Sequence, residues 1–401
     1  MKNRVQKRII FGTFGILFTL LFLNCNNNST REDNSTSDWN IFRGNEALTA
    51  YTDISLPDNP VLLWEFKSGS YTKSSPVVHN RVVYWSSRRG RIFGVNIEGK
   101  QVFDYAMETA VDATPIIYDS TLYTGRIDGR LCAISLSKQD TLWTYETWGQ
   151  IIASPNRISY NGKEAIVVGS YDNYLYIIDS KTGKKINRFE SGYYINGAVA
   201  QYDNYAIFGG CDAWLRIVNC LSGVQTDSLE LESYIPASPA IHDNRCYIAD
   251  HAGNVYEIEI YHGKIVSSQK IIKPKDENGR LLSVPAVSDK MVYIVSDDRN
   301  LYAINRGNET ASRQAGRDAA CHIFAIAWKY LLKGDTGESS PVVCKNKLIV
   351  CTKTGIVSIF NAKNGNLLWE YDTGEQITAS PAVINGYFFI LTAKGTLFCF
   401  K

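Results

Sequence analysis

Apolar residues along this chain fall into short runs separated by polar turns, and the whole arrangement repeats about every forty residues. The clearest unit runs from Ser340 to Tyr371. After Ser340-Pro341 come Val342-Val343, the polar turn Lys345-Asn346-Lys347, the run Leu348 to Thr352, a turn at Lys353-Thr354-Gly355, the run Ile356 to Phe360, a turn at Lys363-Asn364-Gly365-Asn366, and the run Leu367 to Tyr371. Four short strands joined by turns bearing Gly and Asn predict an antiparallel meander. Units begin on a small residue followed by Pro: Ser75-Pro76, Thr114-Pro115, Ser154-Pro155, Ser238-Pro239, Val284-Pro285, Ser340-Pro341 and Ser380-Pro381, with Gly197-Ala198 as a degenerate eighth. Pro there suits an innermost strand with a free edge. The second turn recurs as Arg89-Gly90, Asp128-Gly129, Asp172-Asn173, Asp212-Ala213, Ala252-Gly253, Asp298-Arg299, Thr354-Gly355 and Lys394-Gly395. A tight hairpin needs positive φ or an Asx turn at this point, so the repeated Asp reads as turn chemistry rather than as a row of metal ligands. The last unit, Ile377 to Lys401, holds only three strands, and Val61 to Phe66 carries the missing outer-strand pattern. The expected fold is all-β: an eight-bladed β-propeller of four-stranded antiparallel blades, closed by the N-terminal strand completing the C-terminal blade.

The N-terminus follows another pattern. Lys2, Arg4, Lys7 and Arg8 precede Ile9 to Leu23, an uncharged and largely apolar run of 15 residues, and Cys25 comes directly after it. A membrane-crossing helix needs roughly 20 such residues, so the run reads as a secretory signal. Its closing Cys25 resembles a bacterial lipoprotein signal, which implies acylation of that Cys, although Phe22-Leu23-Asn24-Cys25 departs from the strictest lipobox. Residues 26 to 38, NNNSTREDNSTSD, have the composition of a solvated tether. The expected plan is a signal peptide at 1–24, a lipidated Cys with tether and lead-in segment at 25–58, and the propeller at 59–401. Two places break the repeat, at 270–283 and 306–323, where insertions could carry partner contacts or be tolerated surface loops.

Composition narrows the function. The chain is 45% apolar and 12% aromatic, with 24 Tyr and 8 Trp, which suits strands. Removing the signal takes away four basic residues and turns a formal +2 into −2, far from the basic excess that nucleic-acid binding requires. Of nine Cys, those other than Cys25 are Cys132, Cys211, Cys220, Cys246, Cys321, Cys344, Cys351 and Cys399, most of them inside strand patterns. They read as buried small hydrophobes; no CxxC and no adjacent pair supports a redox motif or a zinc knuckle.

A stricter frame links third and fourth strands. Ala133-x-Ser135 is followed by Trp143, Ile177-x-Asp179 by Gly183 and Asn187, and Ile359-x-Asn361 by Gly365 and Trp369. This resembles the tryptophan-docking repeat of the pyrroloquinoline-quinone type propellers, and Trp39-Asn40-Ile41-Phe42-Arg43-Gly44 resembles the WxxFRG segment that often precedes them. The resemblance covers residues 39 to 401. It implies that Trp64, Trp143, Trp328 and Trp369 pack between blades, while Phe103, Asn187, Asp227 and Ser267 leave half of these staples missing. It also brings the quinone into question. Family enzymes hold that cofactor against adjacent disulfide-bonded Cys and a calcium site of acidic and amide ligands, and no two Cys are adjacent here. No cofactor and no metal is expected.

Catalytic constellations are absent from the sequence. Of five His no pair has metal-ligand spacing, and no GxSxG, HExxH or Walker-type run occurs. One cluster suggests binding: blade connections and second turns share a face of a propeller, and they contribute Tyr71, Trp148, Tyr193, Tyr194, Trp214 and Tyr234, with Arg88, Arg89 and Arg126 beside them. Aromatic and Arg side chains on one rim suit a protein or glycan contact; the same rings could instead fold down as packing between blades. Signal, tether and propeller together resemble the propeller lipoproteins of the outer-membrane β-barrel assembly machinery. That resemblance implies a monomeric, non-enzymatic scaffold facing the periplasm or the cell surface, with envelope or outer-membrane proteins as partners and a lipid anchor in the membrane. The alternatives are a glycan or small-ligand sensor and a residual quinoprotein dehydrogenase.

Overall fold

The computed structural model describes residues 38–160, 162–272, 283–306 and 326–401. The signal run, Cys25, most of the tether, and nearly all of the two insertions at 270–283 and 306–323 lie outside these residues. The strands form eight sheets, and each is a meander running outward from the axis. Numbered in chain order, blade 1 consists of Val77–His79, Val82–Ser86, Arg91–Asn96 and Gln101–Ala106, blade 2 spans 116–146, blade 3 156–190, blade 4 200–230, blade 5 240–272, blade 6 286–305 with 326–331, blade 7 342–372, and blade 8 382–400 with 62–67. Strands with sheets on both sides are buried on both faces and need continuous apolar runs, as in Met291–Val295. Outer strands alternate, as in Leu62–Lys67.

The ring closes as the pattern predicts. Leu62–Lys67 pairs antiparallel with Thr396–Phe400, Trp64 opposite Cys399 and Phe66 opposite Leu397. Val61 and Lys401 exchange backbone hydrogen bonds of 2.8 and 3.1 Å. Eight blades, four strands each by this closure, make an all-β propeller. In every blade the second turn contains a residue at positive φ: Gly90, Gly129, Asn173, Ala213, Gly253, Arg299, Gly355 and Gly395. The Asp residues of these turns cap backbone N–H groups, as Asp172 does for Tyr174 at 3.0 Å and Asp298 for Asn300 at 2.9 Å.

The small residue before Pro has a purpose beyond fitting near the axis. Its hydroxyl accepts the N–H of the equivalent residue in the preceding blade: Ser75 N to Thr114 Oγ1 at 2.8 Å, Thr114 N to Ser154 Oγ at 3.1 Å, Ala198 N to Ser238 Oγ at 2.8 Å, Val284 N to Ser340 Oγ at 2.9 Å, and Ser340 N to Ser380 Oγ at 3.1 Å. Ser380 N to Ser75 Oγ, at 2.9 Å, completes the circuit. This bonding also corrects the sequence alignment of the degenerate unit. Gln201 pairs with Ala206 as Val78 pairs with Val83, so the counterpart of Ser75-Pro76 is Ala198-Val199, one residue later than Gly197-Ala198. The circuit is interrupted where Ala198 and Val284 supply no hydroxyl to the N–H groups of Ser154 and Ser238.

Innermost strands of blades 1 to 7 do not keep a free edge. The lead-in segment from Trp39 to Thr52 runs around the axis and covers their N–H groups in order. Val78 N bonds Trp39 O, Ile117 N bonds Asn40 O, Gln201 N bonds Glu46 O, Ile241 N bonds Ala47 O, Val287 N bonds Thr49 O, and Val343 N bonds Ala50 O. In blade 3 the Asn156 amide makes the contact instead, at 2.7 Å to Glu46 O. Tyr51–Thr52 then adds a short parallel strand to blade 7. Left-handed residues at Arg43, Leu48 and Ala50 let the segment curve this tightly. The floor of the central channel is thus part of the propeller's hydrogen bonding.

Candidate functional site

Connections between blades and the second turns meet on one face, and a repeated bond fixes them together. Arg88 N donates to Tyr71 O, Ile127 N to Ala110 O, Tyr171 N to Gln150 O, Cys211 N to Tyr194 O, His251 N to Tyr234 O, Lys353 N to Asp335 O, and Ala393 N to Gln376 O. The side chains on these turns therefore project from a braced backbone. Across blades 2 to 5 these turns carry Trp148, Tyr171, Tyr193, Tyr194 and Tyr234. Trp148 is 78% exposed, Tyr193 47%, Tyr194 38% and Tyr234 39%, so these rings lie largely outside the core.

They are nonetheless ordered by contacts. Tyr194 stacks on Tyr171 at 4.9 Å with nearly parallel planes, and Tyr193 lies 4.5 Å from Tyr194. Tyr234 stacks on His251 at 4.2 Å. Trp148 meets Tyr174 edge to face at 6.2 Å, and the Arg188 guanidinium lies over both rings, 5.3 Å from Trp148 and 4.6 Å from Tyr174. Asp172 organises this corner by accepting from Trp148 N at 2.8 Å, Tyr174 N at 3.0 Å and Tyr176 Oη at 2.7 Å. Neighbouring charges are paired within the protein: Arg216 with Asp212 and Lys270 with Glu232. Burial raises the Cys211 thiol and the Tyr171 phenol above their ordinary ranges, so both are neutral at physiological pH.

Not every expected residue joins this group. Tyr71 is exposed but sits at the junction of blades 8 and 1, away from the others, and Trp214 is half-buried at the start of Trp214–Asn219. Arg88 is engaged by Asp112 at 2.8 and 2.9 Å, and Arg126 is buried against Asp128. Tyr171, Tyr174, Arg188 and His251 escaped the sequence reading. Arg188 follows the staple position Asn187, so strand alternation places it on the opposite face of its strand from the blade contact; that was the available signal.

The staple positions make specific contacts across blades. Trp64 Nε1 donates to Ile97 O at 2.8 Å, Trp143 Nε1 to Ser180 O at 2.9 Å, and Trp328 Nε1 to Ala362 O at 3.1 Å. Trp369 instead packs edge to face on Phe400 at 5.4 Å and Phe388 at 5.9 Å. Two of the replacements also bridge. Asn187 Nδ2 donates to Leu221 O at 2.6 Å and Cys220 O at 3.1 Å, while Asp227 Oδ2 accepts from Ile265 N at 2.9 Å. A polar side chain thus satisfies the next blade's turn where no indole is present.

At the centre of the aromatic face lies a cavity of about 280 Å³, lined by the hydroxyl circuit together with Phe42, Lys73, Asp112, Tyr171, Asn196 and Glu338. Phe42 belongs to the lead-in segment, which puts that segment at the base. Among the described residues no three His, Cys, Asp or Glu are placed to hold a metal ion. The described Cys are unpaired, all but Cys211 buried.

Comparison with known proteins gives one consistent family. The family model described as "Outer membrane protein assembly factor BamB" matches residues 57–192 and 212–401, most of the chain. The curated relative of that description from Moranella endobia (strain PCIT) is 25% identical over 169 residues, covering 38% of this chain and 38% of the relative. The aligned part is thus well under half of either protein. Among solved structures, BamB from Moraxella catarrhalis superposes with a TM-score of 0.68 at 17% identity, over 85% of this chain and 97% of that one. A europium-containing methanol dehydrogenase superposes with a TM-score of 0.72 at 12% identity, over 91% and 98%. Identities this low speak for a common fold alone.

Proposed function

Because this chain belongs to the family of the outer membrane protein assembly factor BamB, we propose that it is a non-enzymatic scaffold in outer-membrane protein assembly. In this reading a lipid on Cys25 holds it to the envelope, and the aromatic sector of blades 2 to 5 captures a partner protein in the periplasm. The observation that carries the proposal is a set of large exposed rings held by stacking and by braced turns. Rings already ordered lose little conformational freedom on binding, and they desolvate a large area when covered.

The anchor is compatible with that face being free. Asp38, the first described residue, is held by His79 at 2.7 Å on the first turn of blade 1, at the far ends of the inner strands from the aromatic turns. The twelve residues from 26 to 37 have a fully extended length of roughly 40 Å.

The test is co-purification from detergent-solubilised envelopes with the double variant Trp148→Ala, Tyr194→Ala. The wild type is expected to bring down envelope proteins that the variant loses, with thermal midpoints within about 2 °C, as for exposed substitutions. Recovery of no envelope protein by the wild type argues against the scaffold; a large drop in midpoint assigns the rings to the core. The parallel Tyr171–Tyr194 stack also favours a second reading, capture of a glycan by the same rim. A thermal-shift series with oligosaccharides separates the two.

A further inference from the structure

We infer that the blind funnel on the propeller axis is a binding site for an oxyanion. Three independent features of the chain meet there, and partner capture by the aromatic rim is not needed for any of them.

The first is the hydroxyl circuit. Ser75, Thr114, Ser154, Ser238, Ser340 and Ser380 all line the cavity, and five of the six are more than nine-tenths buried. Each spends a lone pair on an N–H from the preceding blade. Among the described residues only Ser340 also donates to a protein acceptor, at 3.4 Å to Glu338 O. The other O–H groups keep their protons for whatever occupies the axis. A hydroxyl that already accepts an N–H still has its one O–H to donate, so the ring presents several O–H donors toward one axis.

The second is the floor. Arg43 is 1% exposed, and its guanidinium donates to Pro285 O at 2.6 Å, Pro341 O at 2.9 Å and Leu48 O at 3.4 Å. It makes no ion pair among the described residues. Val284 and Ser340, the residues directly before those two prolines, line the funnel, so an uncompensated positive charge lies just beneath it. A buried charge without a counter-ion is costly, and an anion above it relieves that cost.

The third is the charge of the wall. Lys73 stands at the cavity, and of the two wall carboxylates Asp112 is already bound in bidentate fashion by Arg88. Glu338 opposes an anion, but it is on the exposed rim, where water and salt screen it. Hydroxyl donors with a buried cation below match phosphate or the carboxylate of a chain terminus; both present several acceptor oxygens in a small volume.

The experiment uses the full-length protein in detergent, titrated with inorganic phosphate and followed by calorimetry and by 31P line broadening, against chloride at equal ionic strength. Saturable phosphate binding is expected, weakened at least tenfold in Thr114→Val and in Ser154→Ala. Competition by trialanine with a free C-terminus, but not by its amide, would identify a chain terminus as the source; phosphate binding without such competition would identify a free ion. No saturable binding of either probe to the wild type overturns the inference, whatever the variants do. So does phosphate binding of equal strength in both variants, which marks an adventitious ion only. The scaffold proposal is tested separately, since these variants leave Trp148 and Tyr194 in place.

Discussion

If the hydroxyl circuit helps hold the ring together, then repairing a gap should stabilise it. Ala198 occupies a circuit position, is 4% exposed and lines the funnel, so its Cβ has open space toward the axis. Ala198→Ser adds one oxygen where the other blades carry Oγ, within reach of the Ser154 N–H. A hydrogen bond made in this way contributes about 1 kcal/mol net, less a small loss of rotamer freedom. A hydroxyl buried there without a partner would cost about 1–3 kcal/mol. The two accounts therefore differ in sign. For a ring of this size a gain of that order raises the thermal midpoint by about 1–2 °C, measurable by intrinsic fluorescence in replicate. Amide exchange at Ser154 should slow in the same variant. The paired control is Ser380→Ala, which strips the acceptor from Ser340 N and should cost about 1–3 kcal/mol. A lowered midpoint for Ala198→Ser, or no change for Ser380→Ala, would refute the circuit as a stabilising element.

Other outcomes follow from the same contacts. Trp143→Phe removes the bond to Ser180 O and part of the ring, and Asn187→Ala removes two bonds; each should destabilise by about 1–3 kcal/mol in denaturant unfolding. Gly183→Ala should cost more than about 2 kcal/mol, because its φ is +68 and a Cβ would lie 2.6 Å from the Trp143 ring; Ala213→Gly, which relieves a positive φ of 66, should stabilise slightly. Burial pushes the Cys132 thiol up to about 11 and those of Cys220, Cys351 and Cys399 to about 12, all from 9. A raised thiol pKa in the fold means full stability below pH 9 and progressive loss between about 9 and 12 as the unfolded chain ionises first; alkaline titration of the midpoint checks this. In native protein a thiol reagent at pH 8 should modify Cys211 and spare those four.

The propeller was legible because blade strands repeat a period of two inside a longer period, and because turns that need positive φ draw on few residue types. Closure could be read for the same reason: Val61 to Phe66 repeats the pattern of Leu367 to Tyr371, and a three-stranded last blade has an edge to fill. The lead-in segment was recognised as a motif, but its role was hidden. Its bonds run from its own carbonyls to N–H groups scattered over the whole chain, and backbone partners leave no trace in side-chain identity. The one-residue shift at Ala198 has a related cause. Pro and hydroxyl are both missing from that unit, so only strand register locates it. Asn187 and Asp227 were read as lost staples because an indole was the expected donor, whereas the adjoining turn can be satisfied by any side chain with a suitable dipole. Exposure of the rings was open for a physical reason as well: Tyr194 and Trp148 are amphipathic enough to lie inside or outside, and stacking on Tyr171 and Tyr174 decides it.

These departures are not spread evenly around the ring. Indole staples hold the junctions from blade 6 through 7, 8 and 1, and from blade 2 to 3, apart from Phe103 between blades 1 and 2. Junctions 3–4, 4–5 and 5–6 carry Asn187, Asp227 and Ser267, and both gaps in the hydroxyl circuit, at Ala198 and Val284, fall on 3–4 and 5–6. The exposed rings lie over much of this same half. A ring whose blades contact only their neighbours opens first where nearest-neighbour terms are weakest. Hydrogen exchange should therefore be fastest in the middle strands of blades 4 and 5, for instance Ile207 and Ile248, and slowest in blades 7 and 8, for instance Ile349 and Ile390, although all four residues are equally buried. Burial alone predicts equal protection, and observing it would sink the argument. If the asymmetry is found, and a captured partner removes it, the weak half and the binding half are one feature: contacts that a closed ring could make internally have been given up where an outside surface supplies them.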